Sequence, residues 1–245
     1  MRGAESLFSL PFKPDNISMS KELFNYDQKI RKQYKIDMVC GVDETGRGPW
    51  SGPIVSAAVI LKSDIIIQGL NDSKKLSEKT RIAIEKDIKD NAICWGIAEI
   101  SPEDIDKKGL TWANEMVMYT AAKNAAESIG MTLEDIKLFI IDQSPCKKLQ
   151  PQIMMPKADS TSACVAAASV LAKNYRDARI EEIAKQYPEY KFEDHKGYIN
   201  KLHVDMVNKH GLIPGVHRTS YVVTGYNKPK QINMMDMLSD ENWNN

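Results

Sequence analysis

Apolar side chains follow two spacings along the chain, and the change between them predicts an α/β protein. Alternating or continuous apolar runs predict strands at 38–42, 54–61, 92–100, 137–141 and 153–155. Helical spacing predicts helices at about 20–34, 77–90, 110–128, 160–185 and 199–209. The first three strands predict an antiparallel meander. The later alternation of helix and strand predicts parallel additions to the same sheet.

Composition narrows the class of protein. Of the 245 residues, 42% are hydrophobic and 27% are charged, as in soluble globular proteins. The longest apolar runs, at 53–61 and 160–172, are shorter than the ~20 residues of a membrane span, so we expect no membrane contact. Residues 1–16 lack the apolar stretch of a secretory signal, and the four cysteines form no metal or disulfide framework. We therefore expect a cytoplasmic protein.

The net charge of zero conceals an uneven distribution. Residues 143–218 contain 12 Lys and Arg against 8 Asp and Glu, so the other residues contain 21 against 25. All four histidines lie in this modestly basic stretch. The asymmetry fits a protein that holds a polyanion near carboxylates, although an imbalance of this size also arises by chance.

Four acidic residues in three segments of the chain are informative in combination. Asp43 and Glu44 end an apolar strand at a glycine-rich turn, Asp142 ends another strand, and Asp159 precedes the alanine-rich helix. Each has an ordinary structural explanation as a strand end, a turn residue or a helix cap. If the four carboxylates met at one edge of a sheet, they would repel one another unless divalent cations lay between them, and oxygen ligands favour Mg²⁺ or Mn²⁺.

Seven segments together resemble the ribonuclease HII family, the type 2 ribonucleases H. They are G-V-D-E-T-G-R-G-P at 41–49, L-N-D-S-K-K-L at 70–76, F-I-I-D at 139–142, K-A-D-S at 157–160, A-A-A-S-V-L-A-K at 166–173, R-D at 176–177 and H-K-G-Y at 195–198. The resemblance implies a ribonuclease H-like fold, with a five-stranded mixed sheet flanked by helices. The two ends of the chain lie outside the resemblance and lack periodicity, so residues 1–17 are predicted to form a flexible arm and residues 226–245 a polar tail. Between them we expect a catalytic domain at 18–190 and a helical part at 191–225 that completes the substrate site.

The resemblance also implies the residues of the site. Four carboxylates would bind two divalent ions, Mn²⁺ or Mg²⁺: Asp43, Glu44, Asp142 and Asp159. The substrate contacts would be the backbone of Gly46, Arg47 and Gly48 on the ribose 2′-OH, Ser73 and Lys74 on phosphates, and Tyr198 on the ribonucleotide at the RNA–DNA junction.

The implied activity is that of an endoribonuclease. It would cut on the 5′ side of ribonucleotides in RNA–DNA hybrids, and of single ribonucleotides in duplex DNA, by a two-metal-ion mechanism that leaves 3′-OH and 5′-phosphate ends. Such an enzyme would serve ribonucleotide removal in DNA repair and replication. We expect a monomer, and a sliding clamp stays open as a protein partner.

The sequence departs from the family at two places, and two alternatives stay open. Gln143 stands where the family commonly has Gly, and Trp50 and Ser51 stand where it often has Leu and Ala. His195 is either a phosphate contact or a turn residue. A junction resolvase would use similar acids but lack the G-R-G and H-K-G-Y segments. A catalytically silent nucleic-acid-binding module would be expected to have lost at least one of the four acids.

Overall fold

Five strands pair into one mixed sheet in the computed structural model, which describes residues 14–227. The strands are β1 (Cys40–Thr45), β2 (Ile54–Leu61), β3 (Ala92–Ile100), β4 (Phe139–Asp142) and β5 (Gln152–Met155). Their order in the sheet is β3-β2-β1-β4-β5. β2 pairs antiparallel with both β1 and β3, whereas β4 pairs parallel with both β1 and β5. The predicted meander with parallel additions is confirmed.

Helices cover the two faces of this sheet. They are α1 (Pro14–Tyr34), α2 (Glu78–Asn91), α3 (Pro102–Lys108), α4 (Leu110–Glu127), α5 (Ala163–Gln186), α6 (Phe192–His195) and α7 (Lys201–His210). Alternate residues of β2 belong to two different apolar clusters, one shared with α4 and the other with α1, α2 and α5. Because successive side chains of a strand point to opposite faces, α4 and α5 lie on opposite sides, and all of β2 is buried.

Small residues allow the helices to lie close to the strands. A Cβ atom added at Gly41 in β1 would stand 2.2 Å from the carbonyl carbon of Cys164 in α5, and one added at Gly96 would stand 2.4 Å from the carbonyl oxygen of Ala121 in α4. Alanine-rich α5 is buried along its first ten residues. Glycine in these strands thus fixes the separation of the layers.

The helical part at 191–225 packs against the connection between β1 and β2. Its apolar cluster includes Trp50 of that connection together with residues of α6 and α7. The amide groups of Trp50 and Ser51 both donate to the carbonyl oxygen of Gly197, and the amide of Gly52 donates to that of Val216. Residues 46–53 are therefore held from the C-terminal side.

The structure corrects several predicted boundaries. α1 begins at Pro14, so residues 14–17 of the predicted flexible arm are helical; proline needs no amide partner in a first helical turn. Residues 1–13 and 228–245 lie outside the described range. β1 continues to Thr45, and α5 begins at Ala163 because 158–160 form a separate 3₁₀ turn. The short helices α3 and α6 were not predicted. Neither reaches two full helical turns, so neither shows a recognisable helical period.

No helix within residues 14–227 combines the length and the apolar character that a membrane crossing requires.

Replacing Gly41 tests the close contact between β1 and α5. Gly41→Ala would place its methyl carbon 2.2 Å from backbone atoms that cannot move independently, so we expect the free energy of unfolding to fall by about 2–3 kcal/mol. Urea unfolding at fixed pH measures the change. Gly48→Ala is the matched control, because a Cβ there meets nothing within 4 Å. Equal stability of the two variants would contradict the assigned contact.

Candidate functional site

The four predicted carboxylates meet at one edge of the sheet. Asp43 and Glu44 lie in β1, and Asp142 ends the adjacent parallel strand β4, so these strands carry their acids toward the same edge. Asp159 lies in the 3₁₀ turn before α5. The Asp142 Oδ1 atom accepts a hydrogen bond from the backbone amide of Ala158 at 2.8 Å, which joins that turn to β4. Asp159 is therefore not a helix cap; Ser162 caps α5.

Burial and mutual repulsion shape the electrostatics of this group. Burial, followed by the neighbouring Glu44 carboxylate, raises the pKa of Asp43 well above its ordinary value, and Asp142 and Asp159 add to the effect. Burial also raises the pKa values of Glu44 and Asp159. One carboxylate oxygen of each of these two residues, Glu44 Oε2 and Asp159 Oδ2, is buried without a hydrogen-bond partner among the described residues.

Two cationic side chains contact the acids. Lys74 Nζ lies 3.6 Å from Asp159 Oδ2, and Arg47 Nη1 lies 3.4 Å from Glu44 Oε1. The Lys74 side chain is 75% exposed and that of Arg47 is 43% exposed, so water weakens both ion pairs. The carboxylate group as a whole thus keeps unneutralised negative charge.

The carboxylate group fits divalent cations of the Mg²⁺ and Mn²⁺ type. All of its ligand atoms are oxygens, and two of them are buried without a hydrogen-bond partner among the described residues. Within residues 14–227, no three side chains surround a single point as a ready-made metal cage. Mg²⁺ is usually held by one or two carboxylates together with water and substrate phosphate, so the arrangement agrees with an ion bound jointly by protein and substrate.

Gln143 keeps a backbone conformation that suits the glycine commonly found at this position, and nothing in the structure explains the glutamine itself. Its φ of 50° lies in the left-handed region that favours glycine. The following turn is closed by a 2.6 Å hydrogen bond from the Ser144 amide to the Asp142 carbonyl oxygen. The backbone here therefore keeps a turn suited to glycine although glutamine occupies it.

The predicted phosphate-binding turn lies beside the carboxylates. Ser73 and Lys74 form a 3₁₀ turn with Lys75, capped by the side chain of Asp72. The Ser73 hydroxyl is buried, 2.8 Å from the hydroxyl of Ser169 in α5. Lys74 extends to Asp159, and this carboxylate with others raises the pKa of the lysine even though partial burial acts to lower it.

Tyr198 lies next to the glycine-rich loop formed by residues 46–52. It follows Gly197, whose carbonyl accepts the amides of Trp50 and Ser51. Its side chain is 46% exposed, and the guanidinium carbon of Arg176 lies 5.6 Å from the centre of its ring. Arg176 is fully buried and donates to the carbonyl oxygens of Ser51, Pro53 and Lys196. The Tyr198 ring is thus accessible from solvent, while the buried Arg176 beside it is held in place by backbone carbonyls.

A buried histidine cluster supports this region, and the sequence did not reveal it. The His195 and His203 rings stack at 4.1 Å, and the Nε2 atoms of His203 and His217 are 3.2 Å apart. Burial lowers the pKa of His203 to about 3 and that of His217 to about 4. Their common location in one stretch of sequence was the only available signal. His195, the last residue of α6, has a structural role, since its buried ring accepts a hydrogen bond from the Gly197 amide and also bonds the Tyr190 carbonyl.

Trp50, which stands where the family often has leucine, packs against the same histidine cluster. Its indole is 1% exposed and packs 5.2 Å from the His203 ring and 5.5 Å from the His217 ring. Ser51 contributes its hydroxyl, which lies 3.1 Å from His203 Nε2. These two residues therefore anchor the glycine-rich loop rather than contact a ligand.

The family model and the relatives of this chain point to one and the same family. The family described as Ribonuclease HII matches residues 40–224. Ribonuclease HII of Clostridium acetobutylicum is 38% identical over 226 residues, which cover 90% of this chain and 84% of that protein.

Two solved structures share the fold. A PCNA:RNase HII complex from Archaeoglobus fulgidus superposes with a TM-score of 0.61 at 23% identity, covering 76% of this chain and 96% of that one. Bst-RNase HIII in complex with Mn²⁺ superposes with a TM-score of 0.54 at 17% identity, covering 89% and 73%. The α/β fold is therefore of the ribonuclease H type.

Removing one of the buried charges should stabilise the metal-free protein. A raised pKa means that the folded state binds the proton of Asp43 more tightly than the unfolded state, so stability falls as pH rises from 3.8 through the folded pKa. At neutral pH, Asp43→Asn should add on the order of 1–2 kcal/mol, or roughly 2–8 °C in Tm. Thermal unfolding in a chelator measures it.

Asp106→Asn is the control, for which we expect the opposite change in stability. Although burial acts to raise the pKa of Asp106, hydrogen bonds from Ser220 and Thr219 lower it. Its stabilising effect is present above pH 3.8 and lost as pH falls through the lowered pKa, so this variant should lose stability at neutral pH. A lower Tm for Asp43→Asn would contradict the inferred repulsion.

Proposed function

Because this chain belongs to the ribonuclease HII family and is therefore a hydrolase of phosphodiester bonds in RNA–DNA hybrids, we propose that it also cuts at single ribonucleotides embedded in duplex DNA. Cleavage would fall on the 5′ side of the ribonucleotide and leave 3′-OH and 5′-phosphate ends. The observation that carries this proposal is the meeting of four carboxylates at the edge shared by β1 and β4, where two buried oxygens have no hydrogen-bond partner within residues 14–227.

The four carboxylates would hold two divalent ions. Bound Mn²⁺ or Mg²⁺ would supply an activated water and charge stabilisation at the leaving oxygen. Glu44 and Asp159 each offer an oxygen that accepts no hydrogen bond from the described residues, while one oxygen of Asp142 is occupied by the amide of Ala158. The Mn²⁺ complex of a protein with the same fold supports this choice of metal.

We propose that Lys74 makes the phosphate contact of the 3₁₀ turn. Its side chain is 75% exposed and already beside Asp159, so it can move to a substrate phosphate at little cost. The Ser73 hydroxyl is engaged with Ser169, which gives Ser73 the role of holding the turn in place.

The glycine-rich loop and Tyr198 would together recognise the ribonucleotide. Arg47 and Gly48 are exposed beside the acids, and an approaching 2′-OH distinguishes RNA from DNA. The half-exposed ring of Tyr198 would pack on the sugar. Membership of the ribonuclease HII family argues against a junction resolvase. The presence of all four acids argues against a catalytically silent binding module.

The wider role follows from this activity. We propose that the protein removes ribonucleotides from DNA in the cytoplasm as a monomer. The complex of the Archaeoglobus fulgidus protein with PCNA keeps a sliding clamp as a candidate partner.

Cleavage of matched duplexes tests the proposed function. With Mn²⁺ or Mg²⁺, a DNA duplex containing one ribonucleotide should be cut on its 5′ side, and the same duplex without the 2′-OH should not. Asp142→Asn should reduce the rate at least about a hundredfold, whereas Glu127→Gln at the end of α4 should not change it. Equal cleavage of the two duplexes would refute the proposal.

Tyr198 variants test ribonucleotide positioning separately from metal binding. Tyr198→Ala should lower the single-turnover rate by up to about a hundredfold without changing the metal requirement, because a small misplacement of the sugar is costly. Tyr198→Phe should lose much less if packing dominates. Tyr34→Ala, which removes another half-exposed ring, is the control. Normal cleavage by a less stable Tyr198→Ala protein would show a purely structural role.

A further inference from the structure

Arg218 is a buried cation whose hydrogen bonds all go to uncharged oxygens near the glycine-rich loop. It is 0% exposed. Its guanidinium donates to the carbonyl oxygen of Gly46 at 2.6 Å, of Arg47 at 3.0 Å and twice of Gly52 at 2.8 and 3.2 Å. A fifth bond, at 2.7 Å, reaches the Tyr221 hydroxyl. All five guanidinium N–H groups are thus used.

Burial of the Arg218 charge lowers the stability of the folded protein. Arg218 forms no ion pair within residues 14–227. The carboxylate that acts on it electrostatically, Asp106, is hydrogen-bonded to Thr219 and Ser220. Burying a charge without a charged partner costs free energy, and an apolar residue would fill the space more cheaply. The arrangement therefore calls for a functional explanation.

Its effect is to decide which backbone groups of the loop stay free. The Arg47 carbonyl oxygen accepts from Arg218 and also from the Tyr221 hydroxyl, and the Gly46 carbonyl accepts from Arg218. The amides of Arg47 and Gly48 have no acceptor among the described residues. With the Gly46, Arg47 and Gly52 carbonyls engaged by Arg218, the amides of the exposed residues Arg47 and Gly48 remain free donors next to the carboxylates.

We infer that Arg218 and Tyr221 are positioning residues for ribonucleotide selection: they bind the Gly46 and Arg47 carbonyls and so hold the Arg47 and Gly48 amides toward the 2′-oxygen of the substrate. This inference rests on the proposed function. Neither residue touches substrate or metal in this account. The planar guanidinium matches carbonyls spread over residues 46–52, whereas a lysine ammonium has three donors at one point and cannot span them.

Tyr221→Phe is the least disruptive test, because it removes one hydroxyl and opens no cavity. Two quantities are measured: the single-turnover efficiency on a duplex with one ribonucleotide, and the inhibition constant of the matching all-DNA duplex as a competitor. We expect the efficiency to fall about tenfold, because the two hydrogen bonds of the hydroxyl, from Arg218 and to the Arg47 carbonyl, are both lost, with the inhibition constant unchanged. Arg218→Lys, which keeps the charge, should show a larger loss of the same kind.

Tyr190→Phe is the matched control. It also removes a hydroxyl that donates to a backbone carbonyl, here that of Gly211, which lies in the helical part at 191–225 and outside the glycine-rich loop. It should leave both quantities at wild-type values. A merely structural role of Tyr221 would lower the active fraction, which titration with substrate corrects, and would not change selectivity.

The outcomes separate the inference from the function beneath it. Wild-type selectivity in folded Tyr221→Phe would overturn the inference even if Arg218→Lys failed to fold, while leaving the ribonuclease activity standing. Equal loss in Tyr190→Phe would also overturn it. If the wild-type protein itself did not prefer the ribonucleotide duplex, the proposed function would be wrong.

Discussion

Repulsion among buried carboxylates is the constraint on which this structure depends. Asp43, Glu44, Asp142 and Asp159 share one edge of the sheet, and the cations in contact with them are too exposed to neutralise them. Such a cluster survives only if the surrounding fold fixes it strongly. The close contact of β1 with α5 at Gly41 and the bond from Ala158 to Asp142 provide that restraint.

The same region joins two structural units that have different physical character. The sheet and α5 hold the acids in an apolar framework. The helical part at 191–225 holds residues 46–53 through backbone hydrogen bonds, the neutral histidine cluster and the buried Arg218. The proposed metal site and the proposed ribonucleotide sensor therefore depend on different contacts, and the connection from β1 to β2 couples them because it follows Asp43 and Glu44 directly.

The spacing of apolar residues predicted the strands and helices that have a clear period. It failed where contacts between distant residues determine the structure. β2 and β3 have the predicted bounds because both are continuous apolar or alternating runs. β1 extends past its predicted end because pairing with β2 outweighs the polar character of Asp43 and Glu44. The four acids were found through their motifs. Arg218 was not, since the carbonyl oxygens that it binds lie more than 160 residues away, and backbone carbonyls leave no mark in the sequence.

Titration of the metal-free protein with Mn²⁺ tests the central claim most directly. In mildly acidic buffer, carboxylates with raised pKa values must release protons when they bind the metal, and binding to the folded state must raise Tm. The account predicts proton release and a higher Tm in the wild-type protein, and neither in the double variant Asp43→Asn with Asp159→Asn. An equal proton release and Tm increase in that double variant would contradict it.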